Sequence, residues 1–375
     1  MKIKLQKQLI YQVLFCGFVF VAFFSKLSIN GGALSTKSTI YLWIITLFFV
    51  VALMAFCSLD KKNLIIAICI LLYLFIATIF ILQSKEFRFN IARFAPIFIC
   101  LVVFSINMPK MKNENFMRII FDIVVLTIII TNILMMLGNN IIIEFICDNY
   151  TQYLEYITEY HISIKKPLGF FGVPNLAAFF YTSLFLISYC LLEKTKKLKY
   201  NFYLVILFFF CVLLRSSTSL GYALLMLLMY IFKNRKSRKI VAISLLVGII
   251  IIVFLNSQIF VAFYENLKAG VNGFLPRYIN GINGLYKDNF KVLSQFVLGI
   301  GFSTPIENTY NIYFADSGYI ILYTMGNLVL PIVLYFLFYL WLKKNIKSKE
   351  YRTYFFILAM TMELGFITFM AIKTI

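Results

Sequence analysis

Long apolar runs recur from one end of the 375-residue chain to the other, and short basic loops separate them. Leu64–Gln83, for example, carries no charged residue in 20 positions. About 20 such residues, rising ~1.5 Å each as a helix, cross a hydrocarbon layer ~30 Å thick. Backbone N–H and C=O groups find no water there, so each segment has to satisfy its own hydrogen bonds, which favours helices. Charged residues make up only 13% of the chain, where a soluble domain has ~25%. The expected fold is therefore all-α: one polytopic membrane bundle, residues 1–375, of eleven spans. These are Leu9–Phe24, Thr39–Ser58, Leu64–Gln83, Ile91–Asn107, Phe116–Leu137, Val173–Leu192, Tyr200–Leu214, Leu220–Phe232, Ile240–Asn256, Gly318–Leu342 and Thr353–Ile372. The first span follows Lys2, Lys4 and Lys7 and is read as an uncleaved anchor.

The net charge of +20 has a topological meaning. With the N-terminus inside, 22 of the Lys and Arg residues fall on inner loops and span ends, against 13 outside; the acids divide as 4 inside, 9 outside and 2 within spans. This is the positive-inside pattern. No basic patch on a folded surface is evident, so nucleic acid is not an expected partner. The seven cysteines contain no C-x-x-C, and all but Cys147 lie in spans. P-loop, H-E-x-x-H, G-x-S-x-G and D-x-D motifs are absent, and the first outer loop, Lys26–Ser38, has no acid. Hard cations need oxygen ligands, so neither a metal nor any other cofactor is expected.

Two outer loops are too long to be mere connectors: 138–172 and 257–317. The first contains His161, the only histidine, then Lys165 and Lys166 before a glycine-rich return to the membrane. Unperturbed near pH 6.5, an imidazole suits a general base, although a lone loop histidine is also commonly incidental. The second loop carries Arg277, the Gly299–Ser303 segment Gly-Ile-Gly-Phe-Ser, and Asp316. Arg277 can grip phosphate oxygens with its planar fork. Asp316 is either an alternative base or the cap of the span that opens at Gly318. The outer lysines, with Lys287 and Lys291, meet either an anionic substrate or lipid headgroups.

The pair Tyr200–Leu214 and Leu220–Phe232 is short for two crossings. Either its turn, with Arg215, is recessed below the outer surface, where a cation marks function, or both helices run on and Arg215 snorkels. Arg118 and Asp122, four apart, are expected to pair.

In order, these motifs resemble the Wzy-type polysaccharide polymerases and the related O-antigen ligases of bacterial envelopes. Gly169–Asn175 resembles the family's glycine-to-Pro-Asn helix start, and Thr218–Gly221 its serine-rich helix start. Arg277 followed by Gly299 and Gly301 resembles the arginine and Gly-x-Gly of its large outer loop. Asp316–Tyr319 with Gly326 resembles the Asp-Asn-Gly-Tyr that opens the next span. The resemblance covers Gly169–Leu342. Leu220 stands where the serine-rich start often has arginine, and the late outer histidine of the ligases is missing, which favours polymerase over ligase.

The resemblance implies a glycosyltransferase of the bacterial inner membrane, with its N-terminus cytoplasmic and its active site on the outer face. It would polymerise polyprenyl-pyrophosphate-linked oligosaccharide repeats into O-antigen or capsule. Arg277 and Arg215 would hold pyrophosphate, His161 or Asp316 would serve the acceptor hydroxyl, and Lys165, Lys166, Asn175, Gly299, Gly301 and Tyr319 would line the substrate. Its partners would be the bilayer, the lipid-linked oligosaccharide, a chain-length regulator and a flippase. A ligase is one alternative reading. Another is a lipid-oligosaccharide flippase or transporter built on Arg118, Asp122 and Glu363.

Overall fold

The computed structural model describes residues 57–83, 87–107, 114–150, 160–171, 174–233, 298–306 and 318–360, with scattered positions in 10–55 and residue 268. In chain order the elements are α1 (Lys61–Leu82), β1 (Phe87–Phe89), α2 (Ile91–Ser105), α3 (Glu114–Met136), α4 (Asn140–Tyr150), α5 (Pro174–Thr195), α6 (Leu198–Leu213), α7 (Ser217–Lys233), β2 (Ser303–Pro305), α8 (Gly318–Gly326), α9 (Val329–Asn345) and α10 (Lys349–Met360). Among the described residues, three helices, α1, α3 and α5, are long and apolar enough to cross a membrane. At 22 or 23 residues each they reach about 33 Å.

Their exposed faces point to lipid. Helix α3 exposes Ile119, Ile123, Leu126, Ile130 and Ile133, while it buries Thr131 and Asn132. A surface helix of a soluble protein does the reverse. Helix α1 likewise exposes Ile65, Ile68, Leu72, Ile76, Ile79 and Phe80. A continuous apolar exterior of this kind is the surface expected where the solvent is lipid. The chain is thus a predominantly helical membrane protein.

The described residues form two compact units, one of residues up to 107 with those from 298 onward, the other of residues 114–233. In the first unit α1 and α2 lie antiparallel. Asn107 N–H donates to Ser58 O and Asp60 N–H to Ser105 O, which ties the start of α1 to the end of α2. Asp60 caps α1, its Oδ1 accepting from the N–H groups of Lys62 (3.0 Å) and Asn63 (3.2 Å). Its other oxygen pairs with Lys344 at the end of α9. The core between α1, α2 and α9 includes Leu74, Ile97, Leu101, Leu330 and Leu337, all fully buried.

The segment Leu298–Ser303 is threaded into this unit. Ile300 N–H donates to Thr324 O and Gly301 N–H to Met325 O. Phe302 N–H donates to Thr78 Oγ1 (2.8 Å). Phe302 packs edge-on against Phe75 and Phe94, each 5.2 Å between ring centroids. Beyond it, β2 pairs antiparallel with β1, Phe89 opposite Ser303 and Phe87 opposite Pro305.

This threading explains a departure from the sequence reading. Gly318–Leu342 is expected to be one span, but the structure has two helices, α8 and α9, with Asn327 left-handed (φ 53°) between them. In a continuous helix, Thr324 and Met325 carbonyls would accept from residues 328 and 329. Here Ile300 and Gly301 take those acceptors, so the helix can stop without orphaning them.

Gly301 sits at φ 58°, and a Cβ there would stand 2.5 Å from Leu74 O and 2.3 Å from Thr78 Oγ1. We predict that Gly301→Ala costs about 3 kcal/mol, from the left-handed backbone and the overpacking together. Thermal unfolding of the purified protein would show it; an unchanged midpoint would mean that this segment does not pack as described.

Candidate functional site

In the second unit, α5 runs one way and α6 returns beside it, with α7 packed on both. The turn between α5 and α6 is the lysine-rich one: Lys194 pairs with Glu114 (2.6 Å) and Lys199 with Asp122. Arg118 pairs with Glu114 (2.9 Å), not with Asp122 as the spacing suggests, because Lys199 has taken that carboxylate. These five side chains mark one end of the unit. Antiparallel packing brings the residues before α5 and after α6 to the opposite end, and there His161, Lys166 and Arg215 converge.

A helix end places the first two. Lys166 N–H donates to His161 O (3.0 Å), and Lys165 N–H donates to Ile162 O (2.8 Å). This 6→1 and 5→2 pair is a Schellman cap, with Lys165 in the left-handed position (φ 57°) that glycine usually takes. Glycine does take it at the end of α3, where Asn139 N–H reaches Leu134 O and Gly138 N–H reaches Met135 O. The sequence reading gives Lys165 a substrate contact; the structure shows it as the cap that turns the chain and sends Lys166 inward. Lys166 is only 7% exposed. After it come Leu168, Phe170 and Phe171, all buried.

Arg215 arrives from the turn between α6 and α7, also left-handed (φ 50°). Ser216 and Ser219 hold this turn reciprocally: Ser219 N–H donates to Ser216 Oγ (3.1 Å) and Ser216 N–H to Ser219 Oγ (3.0 Å). This arrangement is a capping box with serine as the second partner. Helices α6 and α7 have 16 and 17 residues, about 25 Å each, and they do not run on past the turn. A non-glycine residue held left-handed stores ~1 kcal/mol or more and gathers at functional sites.

Burial, then the nearby Arg215 charge, pushes the Lys166 ammonium down to about 8. Burial, then the Lys166 charge, pushes the His161 imidazole down to about 4. At neutral pH His161 is therefore uncharged, and its buried Nδ1 has no hydrogen-bond partner among the described residues. Among those residues, no carboxylate pairs with any of the three. Two fixed cations and a neutral base, partly withdrawn from water and without a counter-ion among the described residues, make a place suited to an anionic ligand.

The other sequence candidates divide as follows. Asn175 is the second residue of α5, half-buried, next to Pro174. Gly299 and Gly301 lie in the first unit. The N–H of Gly301 is spent on Met325 O, and a Cβ on Gly299 would stand 2.6 Å from the same carbonyl oxygen. Their role in the fold is close backbone packing. Tyr319 lies in the first turn of α8. Arg277 and Asp316 lie outside the described residues, as does Glu363 of the transporter reading.

Three contributors were not singled out from the sequence. Asn132 and Tyr181 are both fully buried in the second unit. Asn132 Nδ2 donates to Tyr181 Oη (2.7 Å), and Tyr181 Oη donates to Pro167 O (2.6 Å). Asn132 could have been found as an amide in the middle of an apolar span; Tyr181 is one of 24 tyrosines and carries no such mark. In the first unit, Arg93 Nη1 donates to Ser303 O (2.7 Å). Among the described residues, no three His, Cys, Asp or Glu side chains converge as a metal-ligand set.

Comparison with protein-family models, with curated proteins and with solved structures finds no match to this chain.

Because the chain has a single histidine, its imidazole gives one resolvable NMR titration. We expect a midpoint near pH 4, well below the usual ~6.5. The folded protein then binds fewer protons than the unfolded chain between those values, so His161 withdraws stability as pH falls through that window. A midpoint at the ordinary value would show the imidazole in open water. Lys165→Gly should raise stability by about 0.5–1 kcal/mol by relieving the left-handed lysine. A lower unfolding midpoint in that variant would mean that the lysine side chain itself contributes.

Proposed function

We propose that this chain is a membrane glycosyltransferase that polymerises polyprenyl-pyrophosphate-linked oligosaccharide repeats, in the manner of the Wzy-type polymerases it resembles. The observation that carries the reading is the group of His161, Lys166 and Arg215, without a carboxylate partner among the described residues, at the end of α5 and α6 away from the lysine-rich turn. The positive-inside rule puts the lysine-rich turn in the cytoplasm, and hence this group at the outer face. The full arrangement proposed is eleven spans in the bacterial inner membrane, with the N-terminus cytoplasmic and 138–172 and 257–317 as outer loops.

The chemistry follows from the groups. A hydroxyl of the lipid-linked acceptor attacks the anomeric carbon of the donor sugar, and the bond from that carbon to the pyrophosphate oxygen breaks. The leaving polyprenyl pyrophosphate gains negative charge, which Lys166 and Arg215 stabilise, and the resemblance gives Arg277 the same role. The hydroxyl proton passes to a base, for which His161, uncharged at neutral pH, and Asp316 are the two candidates. The sugar arrives already activated, so no nucleotide takes part.

Transport is the weaker reading. Asp122, its main acid, is paired with Lys199, and the helix break at Asn327 has its Thr324 and Met325 carbonyls filled by Ile300 and Gly301 instead of open to an ion. A ligase would share the chemistry and differ in acceptor.

A strain lacking the chain should accumulate single repeat units on polyprenyl pyrophosphate at the outer face, sized by mass spectrometry of extracted lipids. Long polymer left on the lipid would indicate a ligase, and units trapped inside a flippase. Lys166→Ala and Arg277→Ala should leave protein levels intact and cut polymer formation about 100-fold or more. Normal polymer in both variants would overturn the assignment.

A further inference from the structure

The anion site has a support built into the bundle beneath it. The Lys166 backbone is fixed from two sides: its N–H is held by His161 O, and its own carbonyl accepts from Leu168 N–H (2.9 Å) across Pro167. Proline also restricts the residue before it to extended conformations. The Pro167 carbonyl reaches into the helices, and Tyr181 Oη donates to it at 2.6 Å. Tyr181 is fully buried, seven residues into α5, and the Asn132 amide on α3 donates to its hydroxyl. Gly169, left-handed at φ 55°, leaves the space: a Cβ there would stand 3.3 Å from Tyr181 Oη. The arrangement carries a cost, because Asn132 Oδ1 is buried with no partner among the described residues, and such a group costs ~1–3 kcal/mol. An apolar pair would fill the same volume without it.

We propose that Asn132 and Tyr181 are positioning residues of the anion site, holding the Lys166–Phe171 turn so that the Lys166 ammonium stays withdrawn beside Arg215 and His161. The inference rests on the reading of that group as a diphosphate site. Neither residue touches the ligand; they act through Pro167. Among the described residues, the titratable and charged groups around the turn are His161 and Lys165 on its own segment, Arg215 from the turn after α6, Tyr181 on α5 and Cys211 on α6, where the Cys211 thiol donates to Ser219 O. Helix α3 contributes only the uncharged Asn132.

The test uses the full chain purified in lipid nanodiscs, titrated calorimetrically with inorganic pyrophosphate. Wild type should bind, and Tyr181→Phe should bind roughly fivefold to tenfold more weakly at neutral pH, the worth of one to two hydrogen bonds. The deficit should narrow above pH 8, where Lys166 loses its proton in the wild type and there is less charge left to position. The ligand's own ionisation is common to both proteins and cancels in the ratio. Asn132→Ala, which leaves the tyrosine–proline bond in place, should fall between them and carries the test if Tyr181→Phe does not fold. Wild-type affinity in both folded variants would overturn the positioning role and leave the anion site standing. A deficit equal at every pH, tracking a lower melting temperature, would reduce Tyr181 to a structural residue and also overturn it. Absence of pyrophosphate binding by the wild type would sink the diphosphate reading itself, and the positioning role with it.

Discussion

In surroundings this apolar, a polar backbone group has nowhere to turn but the protein, and the two departures from regular helix described here depend on that constraint. The helix that should run through Gly318–Leu342 stops at Gly326 because Ile300 and Gly301 supply the donors that Thr324 and Met325 would otherwise miss. The turn at Lys166–Phe171 can leave regular structure because Tyr181 closes on the Pro167 carbonyl. In each unit the irregular segment and its partner helix are mutually necessary. Removing either leaves buried acceptors unpaired, which costs more than the bond itself is worth.

Charge is handled by the same logic. At one end of the second unit the cations have partners: Lys194 and Arg118 share Glu114, and Lys199 takes Asp122. At the other end Lys166 and Arg215 share a neighbourhood with an uncharged imidazole and no carboxylate among the described residues. Two left-handed residues, Lys165 and Arg215, hold this arrangement where glycine would be easier. Strain and charge without a carboxylate partner among the described residues thus fall at the same place. Burial and the neighbouring cation depress both Lys166 and His161, so that at neutral pH the lysine is charged and the imidazole is not.

The sequence made much of this legible. The apolar runs that became α1, α3 and α5 were plain, since composition and length suffice for a membrane helix. His161, Lys166 and Arg215 were legible as types, being rare polar residues next to apolar spans. Their convergence was not, because it depends on α5 and α6 being antiparallel neighbours. The Arg118–Asp122 pairing was misjudged for a related reason. Spacing along a helix finds the partners on that helix, whereas Lys199 comes from another. Gly299 and Gly301 looked like ligand-binding glycines, and only the Cβ clearances, 2.5 Å to Leu74 O for Gly301, show what they are for.

Sequence by itself determined the class of the protein, since hydropathy and the scarcity of charge mark which segments seek lipid. Both are one-dimensional properties, summed over neighbours in the chain. Tertiary structure alone decided where helices break, which cation meets which, and why Asn132 and Tyr181 are buried together. Those outcomes rest on single hydrogen bonds between residues far apart in the chain, 49 positions for Asn132 and Tyr181 and 224 for Thr78 and Phe302. A donor and an acceptor that far apart carry no mark of each other until the helices bring them within 3 Å.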